Sequence, residues 1–295
     1  MKRRTLLQWS SLAAAGPLAA QPALLARPNP SSGESIPRIG LGTWITFNVG
    51  QDPPARAQCA QVVRAFLEGG GRVIDSSPMY GSSQGVTGEA LAALKAGERA
   101  FSADKVWTSG DGAAQVEASR RLWTVPRFDL LQVHNLLAWE KQLPLLQRMK
   151  AEGRLRYVGI TTSEGRRHRE FEEVMRTQRL DFVQLTYNPV DREVEQRLLP
   201  LAAERGIAVL VNRPFQEGEL LRKLQRHPLP AFAAEIDCAN WAQFVLKFIV
   251  THPAVTCAIP ATRRVDHVRE NLAAARGRMP DEALRRRMAA HIAGL

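Results

Sequence analysis

A rhythm constrains this chain more than any single motif. From residue 36 onward, short apolar runs of strand length alternate with longer stretches whose apolar residues recur every three or four positions. The short runs are 39–43, 73–75, 100–105, 128–133, 157–161, 182–185, 208–211 and 256–259. The stretches between them read as amphipathic helices. Cys59, Val62, Val63 and Phe66 share one helical face, Leu143, Leu146 and Met149 share another, and Leu198 lies four before Ala202. Strand–helix repetition of this kind implies a mostly parallel sheet with helices outside it. Eight strand candidates favour a closed (β/α)8 barrel, an α/β fold of the TIM-barrel type, over an open doubly wound sheet.

An open dinucleotide-binding sheet would show G-x-G-x-x-G after its first strand. Here Gly40-Leu41-Gly42 runs into Thr43-Trp44-Ile45, where the helix turn would have to begin. Gly69-Gly70-Gly71 precedes a strand and reads as a helix C-cap and loop. No Pro/Gly-rich linker divides the chain, so one barrel domain is expected over 33–295.

The 295 residues are 45% apolar, ample for such a core. No uninterrupted apolar run approaches the ~20 residues of a membrane-spanning helix. The net charge is +11, of which Lys2, Arg3, Arg4 and Arg27 supply four. The remainder is spread over helices such as the one carrying Arg285, Arg286 and Arg287. It lacks aromatic interleaving, which suits a solvated basic surface and not a nucleic-acid site. Three cysteines without C-x-x-C spacing form neither a disulfide framework nor a zinc site, and no metal is expected. Cys257, in an apolar run, reads as a small core residue.

Residues 1–28 have a basic head, a weakly apolar Ala/Leu segment, then prolines and small residues. This is the pattern of an export signal. Arg3-Arg4 followed by Thr5-Leu6-Leu7 is similar to the bacterial twin-arginine signal. That reading implies the export machinery as a partner and the periplasm as destination, with cleavage after Ala20 or Ala26. The alternative is a basic tail retained in the cytoplasm.

In a barrel of this kind the active site lies at the C-terminal strand ends. Asp75 ends the run 73–75, with Tyr80 in the loop beyond. Lys105 ends the next run and His134 follows the next. Thr161 and Thr162, Gln184, Asn212-Arg213-Pro214 and Thr262-Arg263-Arg264 stand at the later ends. Each alone has a bland reading: a helix cap, a turn, a surface lysine, a structural histidine. Jointly they form one chemical set. A carboxylate buried without a partner is costly, so Asp75 needs a cation, and Lys105 at the neighbouring tip supplies one. Ammonium beside Tyr80 favours phenolate and is expected to lower that pKa from about 10. A phenol tuned in this way serves as a general acid, and His134 can orient the same substrate oxygen.

These residues resemble the aldo-keto reductases. The likeness spans roughly Ile36 to Ala275. It rests on IGLGTW at 39–44, VIDSSPMYGSSQGVTGEAL at 73–91, DLLQVHN at 129–135, RYVGIT at 156–161, FVQLTYNP at 182–189 and IPATRRVDHVREN at 259–271. The resemblance implies an NADPH-dependent reduction of a small-molecule aldehyde or ketone, with hydride from the nicotinamide and a proton from Tyr80. It implies a catalytic tetrad of Asp75, Tyr80, Lys105 and His134, and NADP(H) bound across the barrel mouth by Thr43, Trp44, Thr161, Thr162, Gln184, Asn212, Arg213, Pro214, Phe215, Thr262, Arg263, Arg264 and Asn271. Thr161-Thr162 stands where the family has Ser-Asn, which shifts the nicotinamide contact toward Gln184. Asn212 stands where a stacking ring is usual, which leaves Phe215 for that role. Arg264 is expected on the ribose 2′-phosphate, with Arg263 over the adenine. Placing the tetrad lysine at 105 requires the third barrel strand to end there. A strand over 106–109 would instead bring that position near Asp111. The loop 45–56 with Trp44 beneath it, and Leu136 to Trp139, are expected to wall the substrate. Two rivals remain: an NADPH-binding barrel with negligible turnover, and a hydrolase using carboxylates such as Asp129 and Glu140.

Overall fold

The computed structural model describes residues 23–295. Ten strands are present among them: β1 (Ala26–Pro28), β2 (Ser35–Pro37), β3 (Leu41–Gly42), β4 (Val73–Asp75), β5 (Phe101–Val106), β6 (Phe128–Val133), β7 (Leu155–Thr161), β8 (Phe182–Thr186), β9 (Ala208–Asn212) and β10 (Cys257–Ala258). Strands β3 to β10 form one parallel sheet in sequence order. Parallel bridges from Ile39 to Ala258 and from Gly42 to Ala261 join its two edges. A Cβ on Gly42 would lie 2.7 Å from the Ile259 carbonyl oxygen, so glycine is what lets this seam close. The fold is the (β/α)8 barrel, and all eight expected strand positions are occupied.

The helices are α1 (Pro53–Glu68), α2 (Ser83–Ala93), α3 (Gly112–Trp123), α4 (Trp139–Ala151), α5 (His168–Thr177), α6 (Leu198–Glu204), α7 (Glu219–Leu224), α8 (Trp241–Val250), α9 (Val265–Ala273) and α10 (Glu282–Ala293). Local chemistry sets their ends. Asp52 caps α1 by accepting from the Ala55 amide at 3.4 Å, and prolines occupy the first two positions of that helix. Asp111 caps α3 by accepting from Ala114 N at 3.0 Å. Asp111 is therefore a cap, and Lys105 lies inside β5. Cys59, Val62, Val63 and Phe66 are all buried on α1.

Two apolar layers result. One lies between strands and helices. The other fills the barrel with side chains such as Val73, Phe101, Leu130, Tyr157, Phe182 and Leu210. The hairpin β1–β2 closes the floor. Glu34, beside it, accepts from Arg156 at 2.5 Å, Tyr157 at 2.9 Å and Arg72 at 3.2 Å.

Residues 26–28, read from sequence as the end of the export signal, pair antiparallel with 35–37. Cleavage after Ala26 would cut into that pairing, whereas cleavage after Ala20 would leave the hairpin whole. Arg3-Arg4 and the segment behind them lie outside the described residues. Among the described residues no helix is long and apolar enough to cross a membrane. Cys59, Cys238 and Cys257 are buried free thiols.

Candidate active site

Parallel register brings the polar strand ends to one rim. Gly42 stands beside Asp75, Lys105 beside Gln132, Thr161 beside Gln184 and Thr186 beside Asn212. At this rim the Lys105 ammonium, wholly buried, lies 2.5 Å from Asp75 Oδ2 and donates to the Ser76 carbonyl at 2.8 Å. The carboxylate's other oxygen accepts from Gln184 Nε2 at 2.8 Å. Asp75 thus ends its strand because a cation and an amide meet it there. Burial would lower the Lys105 pKa, but Asp75 and Tyr80 outweigh it and the net direction is up, so the amine stays charged.

Lys105 Nζ is 5.1 Å from the centre of the Tyr80 ring, which meets His134 edge-on with centroids 5.8 Å apart. Burial pushes the Tyr80 phenol up, and the ammonium opposes without reversing it. This corrects the expectation of a lowered phenol pKa. The resting phenol keeps its proton, as a proton donor requires. Burial, then the nearby Lys105 charge, push the His134 imidazole down to about 3, so it is neutral. Its Nδ1 lies 2.9 Å from Ser77 Oγ.

Above this cluster opens a cleft of about 580 Å³. Thr43, Trp44, Asp75, Tyr80, His134, Thr161, Gln184, Asn212, Arg213, Pro214, Phe215, Thr262 and Asn271 all line it. Asn212 Nδ2 donates to Thr162 O at 2.9 Å, while Gln184 Oε1 has a long 3.5 Å contact with the same amide. Arg213 lies 2.7 Å from Glu164, pairs also with Glu217, and holds its guanidinium 5.9 Å from the Trp44 ring centre. The charge thereby spans the cleft between two loops.

Other expected contacts lie elsewhere. Thr162 is off the cleft, its hydroxyl donating to the Arg166 carbonyl. Arg263 and Arg264 do not line the cleft, and Arg264 pairs with exposed Asp266 at 2.5 Å. Ile45 and Thr46 wall the mouth, but Leu136 to Trp139 do not. Leu136 is buried in the core, and the Trp139 indole donates to Glu170 at 2.9 Å. Positive φ at Asn135 (49°), Leu136 (55°) and Ala138 (47°) folds this turn away, leaving Asn135 on the cleft.

Sequence alone does not single out Ser163, Glu164 and His267, which line the cleft, or Ser77, which meets His134. Ser163 and Glu164 could have been suspected from their place directly after Thr162. Ser77 lies within residues 73–91, but sequence carries no sign that it faces His134. Asp129, one arm of the hydrolase reading, accepts from Ser102 at 2.8 Å and Arg156 at 2.6 Å. Arg156 joins Glu34 at the floor, so Asp129 is at the wrong end of the barrel for that chemistry. Among the described residues no three His, Cys, Asp or Glu side chains gather as metal ligands.

A protonated phenol and a neutral imidazole facing one cleft, with a charged amine buried behind the phenol, can deliver a proton to an oxygen and stabilise the anion left behind. The chain as a whole is similar to known proteins. Over 248 residues the chain is 29% identical to a methylglyoxal reductase, YeaE, of Escherichia coli, covering 81% of this chain and 85% of that one. An NADH-specific methylglyoxal reductase of the same organism is 26% identical over 68% of this chain and 70% of its own length. A Klebsiella pneumoniae aldo/keto reductase crystallised with NADP and acetate superposes with a TM-score of 0.74 at 25% identity, over 88% of this chain and 93% of that one. The profile of the aldo/keto reductase family matches residues 38–290, and the chain belongs to that family.

Proposed function

We propose that the protein reduces a small aldehyde or ketone to an alcohol with NADPH, and that Tyr80 delivers the proton. The observation carrying this reading is the buried Lys105–Asp75 pair set beneath Tyr80 and next to a neutral His134.

The cleft fits a nicotinamide dinucleotide. It runs from Tyr80 and His134 past Gln184 and Asn212 to Thr262, His267 and Asn271, with Trp44 and Phe215 as aromatic walls. Gln184 Oε1, weakly engaged by Asn212, can accept from a carboxamide. Thr161, Asn212 and Gln184 would hold the nicotinamide end. Thr262, Asn271 and the first turn of α9, whose free amides suit a phosphate, would hold the other, with Arg263 and Arg264 able to swing onto a 2′-phosphate. NADPH, when bound, supplies the hydride.

The chain's own residues handle the proton. Tyr80 donates its hydroxyl proton to the substrate oxygen as that oxygen gains negative charge. Lys105 stabilises the phenolate left behind. Asp75 keeps Lys105 charged and in place, and is itself held by Gln184. His134 lines the cleft beside Tyr80 and can hydrogen-bond the same oxygen, while Trp44 and Ile45 keep water from one side.

A barrel that binds NADPH without turnover is the second reading. The Thr162 hydroxyl turned off the cleft and Arg213 braced by two glutamates favour it. Carbonyl-dependent oxidation of NADPH decides, with methylglyoxal as first substrate because the relatives act on it, and with NADH in parallel. Turnover above the enzyme-free rate supports the reductase. Tight NADPH binding with no oxidation across a panel of aldehydes and ketones would leave the sensor.

A further inference from the structure

We propose that Ser77 is a positioning residue that fixes the tautomer of His134, leaving Nδ1 bare and placing the ring proton on Nε2. The consequence for catalysis rests on the reductase reading above; the tautomer does not.

Ser77 is fully buried, two residues beyond Asp75 and three before Tyr80. Its oxygen makes two contacts. It accepts the Met79 amide proton at 3.2 Å and lies 2.9 Å from His134 Nδ1. Pro78, between Ser77 and Met79, has no amide proton to compete. A serine hydroxyl has one proton to give and two lone pairs. Met79 occupies one lone pair, and the hydroxyl proton still needs an acceptor, because a buried polar hydrogen without one is costly. His134 Nδ1 is the acceptor within reach among the described residues.

Were Nδ1 the protonated nitrogen, both lone pairs of Ser77 would be filled and its own proton stranded. The serine therefore donates to Nδ1. The imidazole is neutral, since burial and Lys105 keep it from taking a second proton, so its one proton sits on Nε2. Of the two nitrogens, Nε2 is the one not turned to Ser77. An imidazole in this form can donate to a substrate oxygen through Nε2 and cannot abstract a proton there. The side chain facing the cleft is then an oriented donor beside the proton source, with the Tyr80 edge against it.

The test is nitrogen NMR on the full chain labelled at histidine, without ligand and near neutral pH, with His134→Gln assigning the signals. Wild type should show an unprotonated Nδ1 and a protonated Nε2. Ser77→Ala should lose the single-tautomer pattern, moving the Nδ1 resonance toward the average of the two forms, and Ser77→Thr should restore it. In the reductase assay Ser77→Ala should lower kcat roughly tenfold, the worth of about one hydrogen bond, while the NADPH dissociation constant holds. A proton on Nδ1 in wild type would overturn the assignment, as would identical His134 resonances in Ser77→Ala. If Ser77→Ala fails to fold, the wild-type and Ser77→Thr spectra still decide. If the protein reduces no carbonyl, the nitrogen shifts answer the tautomer question independently.

Discussion

Asp104 should govern how the barrel's stability depends on pH. It sits on β5 between Ala103 and Lys105, fully buried, and meets α2 through Gln84, whose Nε2 lies 2.6 Å from Oδ2 and 2.8 Å from Ser119 Oγ. Its Oδ1 has no hydrogen-bond partner among the described residues. Burial pushes this carboxyl up to about 7 from an ordinary 3.8, although Lys105 pulls the other way. The folded state therefore holds a proton that the unfolded chain has lost. Stability is unaffected below about pH 4, falls as pH rises from about 4 to 7, and stays at its reduced level above that. Three pKa units at about 1.4 kcal/mol each set a ceiling near 4 kcal/mol, and water penetration brings the expected cost to on the order of 2–4 kcal/mol. Asp104→Asn keeps the shape and removes the ionisation, with the Gln84 amide rotated to accept. Each kcal/mol moves the melting temperature by about 2–4 °C in a domain this large. At pH 8 the variant should therefore melt roughly 5–15 °C above wild type, and near pH 4, where the unfolded carboxyl still holds much of its proton, the gap should largely close. Thermal melts at both pH values check this. A variant that melts below wild type at pH 8, or that differs equally at both pH values, would show that Asp104 ionisation does not set this pH dependence.

Two further outcomes are expected. The Arg263→Ala/Arg264→Ala double variant should weaken NADPH binding by about tenfold to a hundredfold, the worth of a charged hydrogen bond, and leave NADH nearly unchanged. Equal losses for both nucleotides in a titration, or none, would leave these arginines as surface charges. If residues 1–28 act as the twin-arginine signal that the sequence suggests, replacing Arg3 and Arg4 by lysine should trap precursor in the cytoplasm, which cell fractionation would read directly; export at the wild-type rate would remove that proposal.

The barrel was legible because its period is long-range and redundant: eight apolar runs separated by helix-period stretches leave few other folds. The Asp75–Lys105 pair was legible for a different reason. A carboxylate at the end of a buried strand demands a cation, and one stood at the next strand end. What escaped was local or depended on depth. Ala26–Pro28 is three residues with the composition of a leader, and its pairing with Ser35–Pro37 leaves no periodic mark. Leu136 to Trp139 turn from the cleft because Asn135, Leu136 and Ala138 adopt positive φ, and two of these carry no sequence signal for it. Arg264 is drawn to Asp266, two residues on. Tyr80 rises in pKa despite Lys105 because burial, which sequence does not quantify, is the larger effect.

In the proposed reaction Tyr80 gives the proton that completes carbonyl reduction. Tyr80→Phe removes one hydroxyl from a half-buried ring beside Lys105 and His134, so the fold and the nucleotide site should persist. Single-turnover oxidation of bound NADPH, mixed with excess methylglyoxal and followed by absorbance, isolates the step in which the proton is needed. Loss of this general acid should slow that step by about 10²–10⁴-fold, with the NADPH dissociation constant unchanged. A Tyr80→Phe rate within twofold of wild type, with NADPH equally bound, would contradict the account.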